Sequence, residues 1–301
     1  MNKPSSPDLV FRYAHASHPG LVREQNEDAI AIAEEAGFAL VADGMGGYNA
    51  GEVASGLAAE FLLTHLAQDL DHLRHQSDGA GDGPSRRMLH SLLRARIDGV
   101  NEAIIDAANR NPHMQGMGTT LAMLLFSGKA VTTLHLGDSR IYRLRDEALS
   151  LLTRDHSLLQ EQIDAGVLTP GEARFSLNRN FVTRALGVDI TAEPEINEYD
   201  LAPGDLYLIC SDGLPDMLSD EEIYDVVCSD PSDGDGDFES DGYVADPEML
   251  EDLATKLIDA ANGHGGRDNV SVVLASVGRT REARRRDAGD EAAERDSTRR
   301  G

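Results

Sequence analysis

The chain has 301 residues, of which 53 are acidic and 27 are basic, so its formal net charge at pH 7 is −26. Such an excess of negative charge repels phosphodiester backbones and anionic lipid surfaces, which argues against nucleic-acid and membrane partners. Hydrophobic residues make up 41% of the chain, a share that is typical of a globular protein and too high for a disordered one. We therefore expect a globular protein that binds neither nucleic acid nor membrane.

Cysteine content and the first residues of the chain bear on location. The two cysteines, Cys210 and Cys228, indicate reduced thiols in a reducing compartment rather than a disulfide framework. The start of the sequence lacks the apolar core of a signal peptide, and no apolar run approaches the roughly 18 residues of a membrane span. These features predict a cytoplasmic location.

Strand and helix signals alternate along the chain. Apolar runs predict a strand over residues 38–42, hairpins over 121–136 and 141–152, and strands over 206–210 and 270–277. Apolar residues at helical spacing predict helices over 52–75, 86–109 and 247–261. The last of these has Asp246 as its N-cap and Pro247 at its first position. Because hairpins favour antiparallel sheets, the pattern predicts an α+β layered domain in which helices cover the sheet faces.

Segments of unusual composition set the predicted domain limits. Residues 279–301 alternate arginine with acidic residues and contain no large apolar side chain, so we expect a disordered charged tail after a single domain over 1–278. Residues 229–248 form an acidic insertion that we expect to be solvated. Its Asp-Gly repeats resemble the start of a calcium loop, but Phe238 and Val244 replace the required glycine and glutamate.

Acidic residues recur at the ends of predicted strands. A strand that leads directly into Asp-Gly, as at Asp43 and Gly44, places a carboxylate at the sheet rim and lets a backbone carbonyl approach a ligand. One such pair is ordinarily a turn, but the recurrence favours a shared site. Carboxylate and carbonyl oxygens suit Mg²⁺ or Mn²⁺, and the lack of His and Cys argues against zinc. The acidic residues concerned are Glu27, Asp28, Asp43, Asp138, Asp212 and Asp268.

Sequence motifs carry a resemblance to a known family. They are VREQNEDA (22–29), VADGMGG (41–47), MGTTLAMLL (117–125), LGDSRIYRL (136–144), LTRDHSLLQEQIDAG (152–166), NFVTRALG (180–187), LICSDGLPD (208–216) and GGRDNVSVV (265–273). In this order, they make the chain resemble the bacterial PP2C (PPM) family of metal-dependent serine/threonine protein phosphatases. The resemblance implies a PP2C-like α-β-β-α sandwich, in which helices flank two packed, mostly antiparallel sheets, with a flap at about 154–184.

The resemblance also implies roles for particular residues. Asp43 would bridge two Mn²⁺ or Mg²⁺ ions, with the Gly44 carbonyl as a further ligand. Asp212 and Asp268 would complete the first ion, and Asp138 with Asp212 would hold a weaker third ion. Glu27 and Asp28 would act mainly through metal-bound waters, while Arg23 would bind the substrate phosphate through its planar guanidinium.

The implied reaction is in-line attack on phosphorus by a metal-bridging hydroxide, which needs no cysteine nucleophile. Many relatives carry His where this chain has Met45 or Tyr48, so the general acid stays open between a metal-bound water and His156. Asn269, Ser139 and Thr119 are expected to support the site rather than to act in it.

Other functions remain as alternatives. A catalytically silent regulatory binding module would be expected to lose a metal carboxylate, whereas Asp43, Asp212 and Asp268 are all present. A metal phosphodiesterase or nuclease would need a positive approach surface, which the net charge contradicts. The resemblance implies phosphorylated proteins as partners, namely a cognate Hanks-type Ser/Thr kinase and its substrates, with type VI secretion components as a more specific hypothesis.

Overall fold

The structure is a computed structural model that describes residues 9–47, 50–77, 85–173, 181–228 and 245–280. Most of the acidic insertion and of the charged tail lies outside these ranges, as do Tyr48, the calcium-loop-like segment and residues 174–180 of the expected flap.

Two sheets form the centre of the fold. The strands are β1 (Leu9–His18), β2 (Asp28–Ala33), β3 (Phe38–Met45), β4 (Gly118–Thr119), β5 (Leu121–Ser127), β6 (Ala130–Leu136), β7 (Arg140–Arg145), β8 (Ala148–Leu151), β9 (Glu195–Asp200), β10 (Leu206–Cys210) and β11 (Val270–Arg279). One sheet, called the first sheet below, has the order β1-β11-β10-β7-β8. The second sheet has the order β2-β3-β5-β6-β9, and the short β4 also pairs with β3. Every strand pairing in the described residues is antiparallel.

Helices accompany the two sheets, and most of them cover an outer sheet face. They are α1 (Ala50–Phe61), α2 (Ala67–Ser77), α3 (Arg86–Arg110), α4 (Leu158–Asp164), α5 (Pro170–Ala173), α6 (Asp220–Cys228) and α7 (Pro247–Gly263). A π-helical turn (Leu62–Leu66) joins α1 to α2, and a 3₁₀ turn (Pro112–Met114) follows α3. None of the described helices is long and apolar enough to cross a membrane.

Three apolar layers result from the alternation of side chains along the strands. In β3, Phe38 and Leu40 pack against α1, α2 and α3, whereas Ala39 and Val41 pack against the first sheet. Strands buried on both faces have continuous apolar sequences, which explains the unbroken run at 38–42. The outer face of the first sheet packs on α6 and α7 in the same way. The predicted α-β-β-α sandwich is therefore confirmed.

Most of the predicted elements are confirmed. Both hairpins form, as β5–β6 and β7–β8, and Asp246 caps α7 by accepting a hydrogen bond from the Glu248 backbone NH at 3.0 Å. The prediction that the first apolar strand stops before Asp43 is wrong. Strand β3 continues to Met45 because Gly44 and Met45 pair with β4.

Candidate metal centre

The ends of neighbouring strands meet at one edge of the sandwich. In an antiparallel pair, the end of one strand lies beside the start of its partner. Asp28 at the start of β2 is therefore directly opposite Asp43 near the end of β3. In the other sheet, β10 ends at Cys210 opposite Val272 of β11, so Asp212 and Asp268 flank the same edge. This edge collects the acidic residues that the sequence singled out.

Polar contacts connect the two sheets at this edge. The Ser211 hydroxyl donates a hydrogen bond to the Asp28 carboxylate at 2.8 Å, and Ser211 is itself bonded to Ser271 of β11. The Asn269 side-chain oxygen accepts a hydrogen bond from the Glu27 backbone NH at 2.8 Å. The acids of the two sheets are thus fixed relative to each other. Asn269 was expected to support the site, and its contacts fit that expectation.

The backbone of Asp43 is held by two threonines. Its NH donates to the Thr120 hydroxyl at 3.0 Å, and its carbonyl accepts from the Thr119 hydroxyl at 2.9 Å and from the Thr120 NH at 2.9 Å. Gly44 follows in very tight contact with α1, where a Cβ atom would lie 2.1 Å from the Gly51 carbonyl oxygen. Glycine is therefore required at position 44, because any side chain would push α1 away from the acidic edge.

Burial and mutual repulsion disfavour the charged forms of these acids. Burial, followed by the carboxylates of Asp28, Asp212, Asp138 and Asp268, raises the pKa of Asp43 well above its usual value. The pKa of Asp212 is raised in the same manner, first by burial and then by its acidic neighbours. Burial is also the main reason why the pKa of Asp28 is raised to about 6 and that of Asp138 to about 7.

The donor set fits hard divalent cations. Several half-buried carboxylates and the buried Asp138 lie close together without lysine or arginine at their centre among the described residues, and one oxygen of Asp28 is buried with no hydrogen-bond partner. Buried charge of one sign is costly unless it is paired or bound to metal. Carboxylate oxygens with a nearby backbone carbonyl are the ligands that Mg²⁺ and Mn²⁺ prefer. The residues present therefore fit a divalent metal centre.

Arg23 lies at the rim of the cluster. Its guanidinium donates a hydrogen bond to the Asp268 carboxylate at 2.7 Å, and about half of its side chain, 51%, is exposed. An exposed pair of this kind contributes little to stability, so the arginine can leave it at small cost. Arg23 can therefore reach a ligand that enters from solvent.

Two acids near the cluster escaped the sequence analysis. Asp216 contributes to the raised pKa of both Asp138 and Asp212, and Asp155 contributes to that of Asp138. Asp216 lies four residues after Asp212, at the end of the LICSDGLPD motif. A count of acids within the motifs would have included both residues.

The environment of His156 argues against a role as general acid. His156 is buried, 8% exposed, and burial together with His135 and Arg184 lowers its pKa to about 4. Its Nδ1 accepts a hydrogen bond from the Gly137 NH at 3.2 Å, and its Nε2 lies 3.8 Å from Glu195. The imidazole is therefore neutral at pH 7, and its ring nitrogens face Gly137 and Glu195.

Comparison with known proteins agrees with this fold and site. The sequence profile of the family described as Protein phosphatase 2C matches residues 21–231. The serine/threonine protein phosphatase PstP of Mycobacterium tuberculosis is 39% identical over 270 residues, which cover 89% of this chain and 45% of PstP. The chain thus spans less than half the length of this relative. The chain belongs to the protein phosphatase 2C family.

Solved structures extend the comparison. The catalytic domain of PstP in complex with two manganese ions is 37% identical, with a TM-score of 0.69, and the match covers 89% of this chain and 99% of that one. PppA of Pseudomonas aeruginosa, described as a key regulatory component of its type VI secretion system, is 31% identical, with a TM-score of 0.71. That match covers 90% of this chain and 99% of PppA.

Proposed function

We propose that the chain is a metal-dependent protein phosphatase that hydrolyses phosphoserine and phosphothreonine in proteins. The observation that carries this proposal is the cluster of carboxylates at one edge of the sandwich, with Asp138 buried and the others half-buried, whose charges repel one another and raise the pKa values of Asp43 and Asp212. Family membership and the two manganese ions in the PstP catalytic domain support it. The cofactor is Mn²⁺ or Mg²⁺, two ions per site with a weaker third.

The proposed metal ligands follow the geometry of the edge. Asp43, with the Gly44 carbonyl beside it, would hold both principal ions. Asp212 and Asp268 would complete the coordination of the first ion. Glu27 and Asp28 would act mainly through bound water. Asp138 would share a weaker third ion with Asp212. Bound divalent ions supply a water of lowered pKa and neutralise charge that develops on phosphoryl oxygens.

Arg23 is the proposed phosphate-binding residue. Its planar guanidinium can donate two hydrogen bonds to phosphate oxygens, and its partly exposed position allows it to exchange Asp268 for substrate. The surrounding negative field would repel a phosphoprotein, so Arg23 and the bound cations must compensate locally. This local compensation would favour phosphate groups that can enter deeply beside Asp268.

A catalytically silent binding module is the weaker alternative. A chain that has lost catalysis has no reason to keep buried, mutually repelling carboxylates, because their replacement by neutral residues is expected to stabilise the metal-free fold. Here Asp28, Asp43 and Asp212 are all present, and Ser211 and Thr120 hold Asp28 and Asp43 in place. A metal phosphodiesterase or nuclease is disfavoured by the net charge of −26.

Partners and location follow from the proposed activity. Phosphorylated proteins are the substrates, and a Hanks-type Ser/Thr kinase with its targets is the proposed opposing system, in the cytoplasm. The likeness to PppA makes type VI secretion components a narrower proposal. We further propose that residues 1–278 form one phosphatase domain with a flap at about 154–184 and an insertion at about 229–248, followed by a charged tail. Strand β11 extends one residue beyond this proposed limit, to Arg279.

A phosphatase assay with and without metal tests the proposal. Purified protein should hydrolyse p-nitrophenyl phosphate and a phosphothreonine peptide with Mn²⁺ or Mg²⁺ and lose this activity in excess EDTA. A bis-p-nitrophenyl phosphate control should be a poor substrate. Turnover in EDTA would contradict the metal dependence. A preference for the diester would favour the phosphodiesterase alternative, and metal binding without any turnover would favour the binding module.

A further inference from the structure

His156 makes two hydrogen bonds with Gly137, the residue that precedes Asp138. Its Nδ1 accepts a hydrogen bond from the Gly137 NH at 3.2 Å, and its backbone NH donates to the Gly137 carbonyl at 2.9 Å. Gly137 has a φ of +100°, and a Cβ atom there would lie 2.6 Å from the Thr120 side chain. The Gly137 peptide is therefore clamped between Thr120 on one side and His156 on the other.

The same histidine joins this peptide to the expected flap. Its carbonyl accepts a hydrogen bond from the Thr183 NH at 2.8 Å, and the adjacent Ser157 forms a β-bridge with Val182. The Leu158 NH donates to the Phe181 carbonyl at 2.9 Å in the same short ladder. Both described ends of the flap thus meet at His156, next to the strand end that carries Asp138.

The ring of His156 is fixed in orientation and in tautomer. It stacks on the His135 ring of β6 with a centroid separation of 4.6 Å and an interplanar angle of 13°. Because Nδ1 accepts the Gly137 NH, the proton of the neutral ring must be on Nε2, which lies 3.8 Å from Glu195. The His135 ring is held separately, by a 2.8 Å hydrogen bond between its Nε2 and the Arg154 carbonyl.

This tautomer argues against a metal site at the same place. One ligand atom each of His135, His156 and Glu195 lie within 4.8 Å of one another, a grouping that could hold a transition metal. A neutral histidine that binds metal through Nε2 carries its proton on Nδ1 and donates it to an acceptor. Here Nδ1 faces a backbone donor, so metal binding would break the Gly137 hydrogen bond. His135 and Glu195 instead serve to orient the His156 ring.

We infer that His156 is a positioning residue that sets the geometry of Asp138 through the Gly137 peptide, and thereby the affinity of the weakest cation site. This inference rests on the proposed function. On the other side of Asp138, the Ser139 hydroxyl is bonded to the Thr120 hydroxyl at 2.7 Å, so both neighbours of the acid are anchored. Removal of the His156 ring leaves the Gly137 NH without its partner, while the backbone hydrogen bond to the Gly137 carbonyl and the partners of Asp43 stay in place.

Asparagine and glutamine substitutions separate this role from simple packing. The side-chain oxygen of Asn can occupy the position of Nδ1 and accept the Gly137 NH, whereas the Gln amide extends toward the position of Nε2 and leaves that NH without its partner. Loss of a residue that supports a metal ligand typically weakens binding by about 10–100-fold. We expect His156→Gln and His156→Ala to lower the Mn²⁺ affinity of the weakest cation site about tenfold. His156→Asn should leave this affinity near that of wild type.

Calorimetric Mn²⁺ titration of the purified full chain measures this step, with phosphatase rate against Mn²⁺ concentration as a second readout. His72→Ala, at an exposed position on α2, is the matched control and should behave as wild type. An inactive wild-type protein would contradict the proposed function. If the wild type is active, two results would overturn the role of His156. One is equal Mn²⁺ affinity in wild type and the three His156 variants, and the other is equal weakening in His156→Asn and His156→Gln. Tight Zn²⁺ binding that His135→Ala abolishes would do so too.

Discussion

Buried acids occur in two contrasting regions of this molecule. Beside the outer strands of the first sheet, acids are paired with arginine: the Asp205 side chain, 0% exposed, accepts hydrogen bonds from Arg145 at 2.5 and 2.6 Å. Asp155 is likewise held by Arg140, whose Nε and terminal nitrogen donate to it at 3.0 and 2.7 Å. At the edge between the sheets, Arg23 at the rim pairs with Asp268 of the acidic cluster, and the charge of Arg140 reaches Asp138 without a hydrogen bond between them in the described residues.

The difference separates structural acids from functional ones. An arginine in bidentate contact compensates the burial of Asp205, so that pair stabilises the fold without outside help. Asp43 and Asp212 lack such a partner, and their pKa values are raised because the fold disfavours their charge. A protein keeps such a cluster when a bound cation supplies the missing positive charge. Amino-acid type alone does not distinguish the two regions, but the partners do.

The largest expected effect is at Asp43. Asp43→Asn should lower phosphatase activity at least about a thousandfold, because loss of the shared cation ligand removes several kcal/mol of transition-state stabilisation. The metal-free variant should unfold at the same or a higher temperature than wild type, because one repelling charge is gone. Activity assays and calorimetry in EDTA measure the two effects. Asp259→Asn, at an exposed position on α7, is the control. A clear loss of metal-free stability in Asp43→Asn would place Asp43 with the structural acids.

At Arg145 we expect a loss of stability with activity retained, the opposite of the result at Asp43. Arg145→Met should destabilise the protein by about 3–5 kcal/mol in urea unfolding, because it leaves the buried Asp205 carboxylate without its partner. The folded fraction should keep its activity. The double variant Arg145→Met with Asp205→Asn should recover part of the loss. If the double variant is no more stable than the single one, the unpaired charge is not the cause.

Metal should stabilise the cluster region selectively. Mn²⁺ at about one hundred times its dissociation constant should raise the free energy of unfolding by about 2.7 kcal/mol, since it binds the folded state. Asp212→Asn should reduce this gain, whereas Arg145→Met should keep it. Thermal scans with Mn²⁺ and with EDTA measure the difference. Equal gains in wild type and Asp212→Asn would mean that the ions bind elsewhere.

Substitution at the rim should affect substrate binding more than metal binding. Arg23→Lys should raise KM for a phosphothreonine peptide about tenfold, equivalent to 1.4 kcal/mol, because lysine cannot donate two hydrogen bonds in fixed geometry. Mn²⁺ affinity should change little. Arg267→Lys, an exposed arginine next to Asp268, serves as the control and should keep its KM. A lower Mn²⁺ affinity with unchanged KM would assign Arg23 to the metal centre instead.

The smallest expected effect concerns pH and His156. The folded-state pKa of this residue is lowered from 6.5 to about 4, by burial and by His135 and Arg184, against the opposing charge of Glu195. As the pH falls below 6.5, the unfolded state takes up a proton that the folded state refuses, so stability is lost down to about pH 4. Between pH 6.5 and 5.5, wild type should lose about 1 kcal/mol more than His156→Asn. Thermal scans at both pH values measure this, and an equal loss of stability in the two proteins would overturn the prediction.

The acidic edge could be predicted from sequence, while its supports could not. Asp43 and Asp212 lie at the ends of the apolar runs 38–42 and 206–210, so short-range pattern was enough to place them at a sheet rim. Strand β2 contains a run of alternating alanine and isoleucine, and β1 mixes aromatic with polar residues, so neither gave a clear signal. The Ser211–Asp28 contact joins residues 183 positions apart, a pairing that only the three-dimensional fold brings together. The tautomer of His156 likewise depends on a backbone NH that sequence does not locate.

The pairing of β1 with β11 has a consequence for biosynthesis. The two strands run side by side from Leu9 opposite Arg279 to His18 opposite Val270, and β11 separates β1 from β10 in the described sheet. On the ribosome β1 emerges before α7 and its neighbour β11 only after α7, so the first sheet must stay open until β11 has been synthesised. Asp268 immediately precedes β11 and arrives equally late. A nascent chain would therefore have an incomplete metal centre until β11 has been made, and truncated products would be unable to act on phosphoproteins.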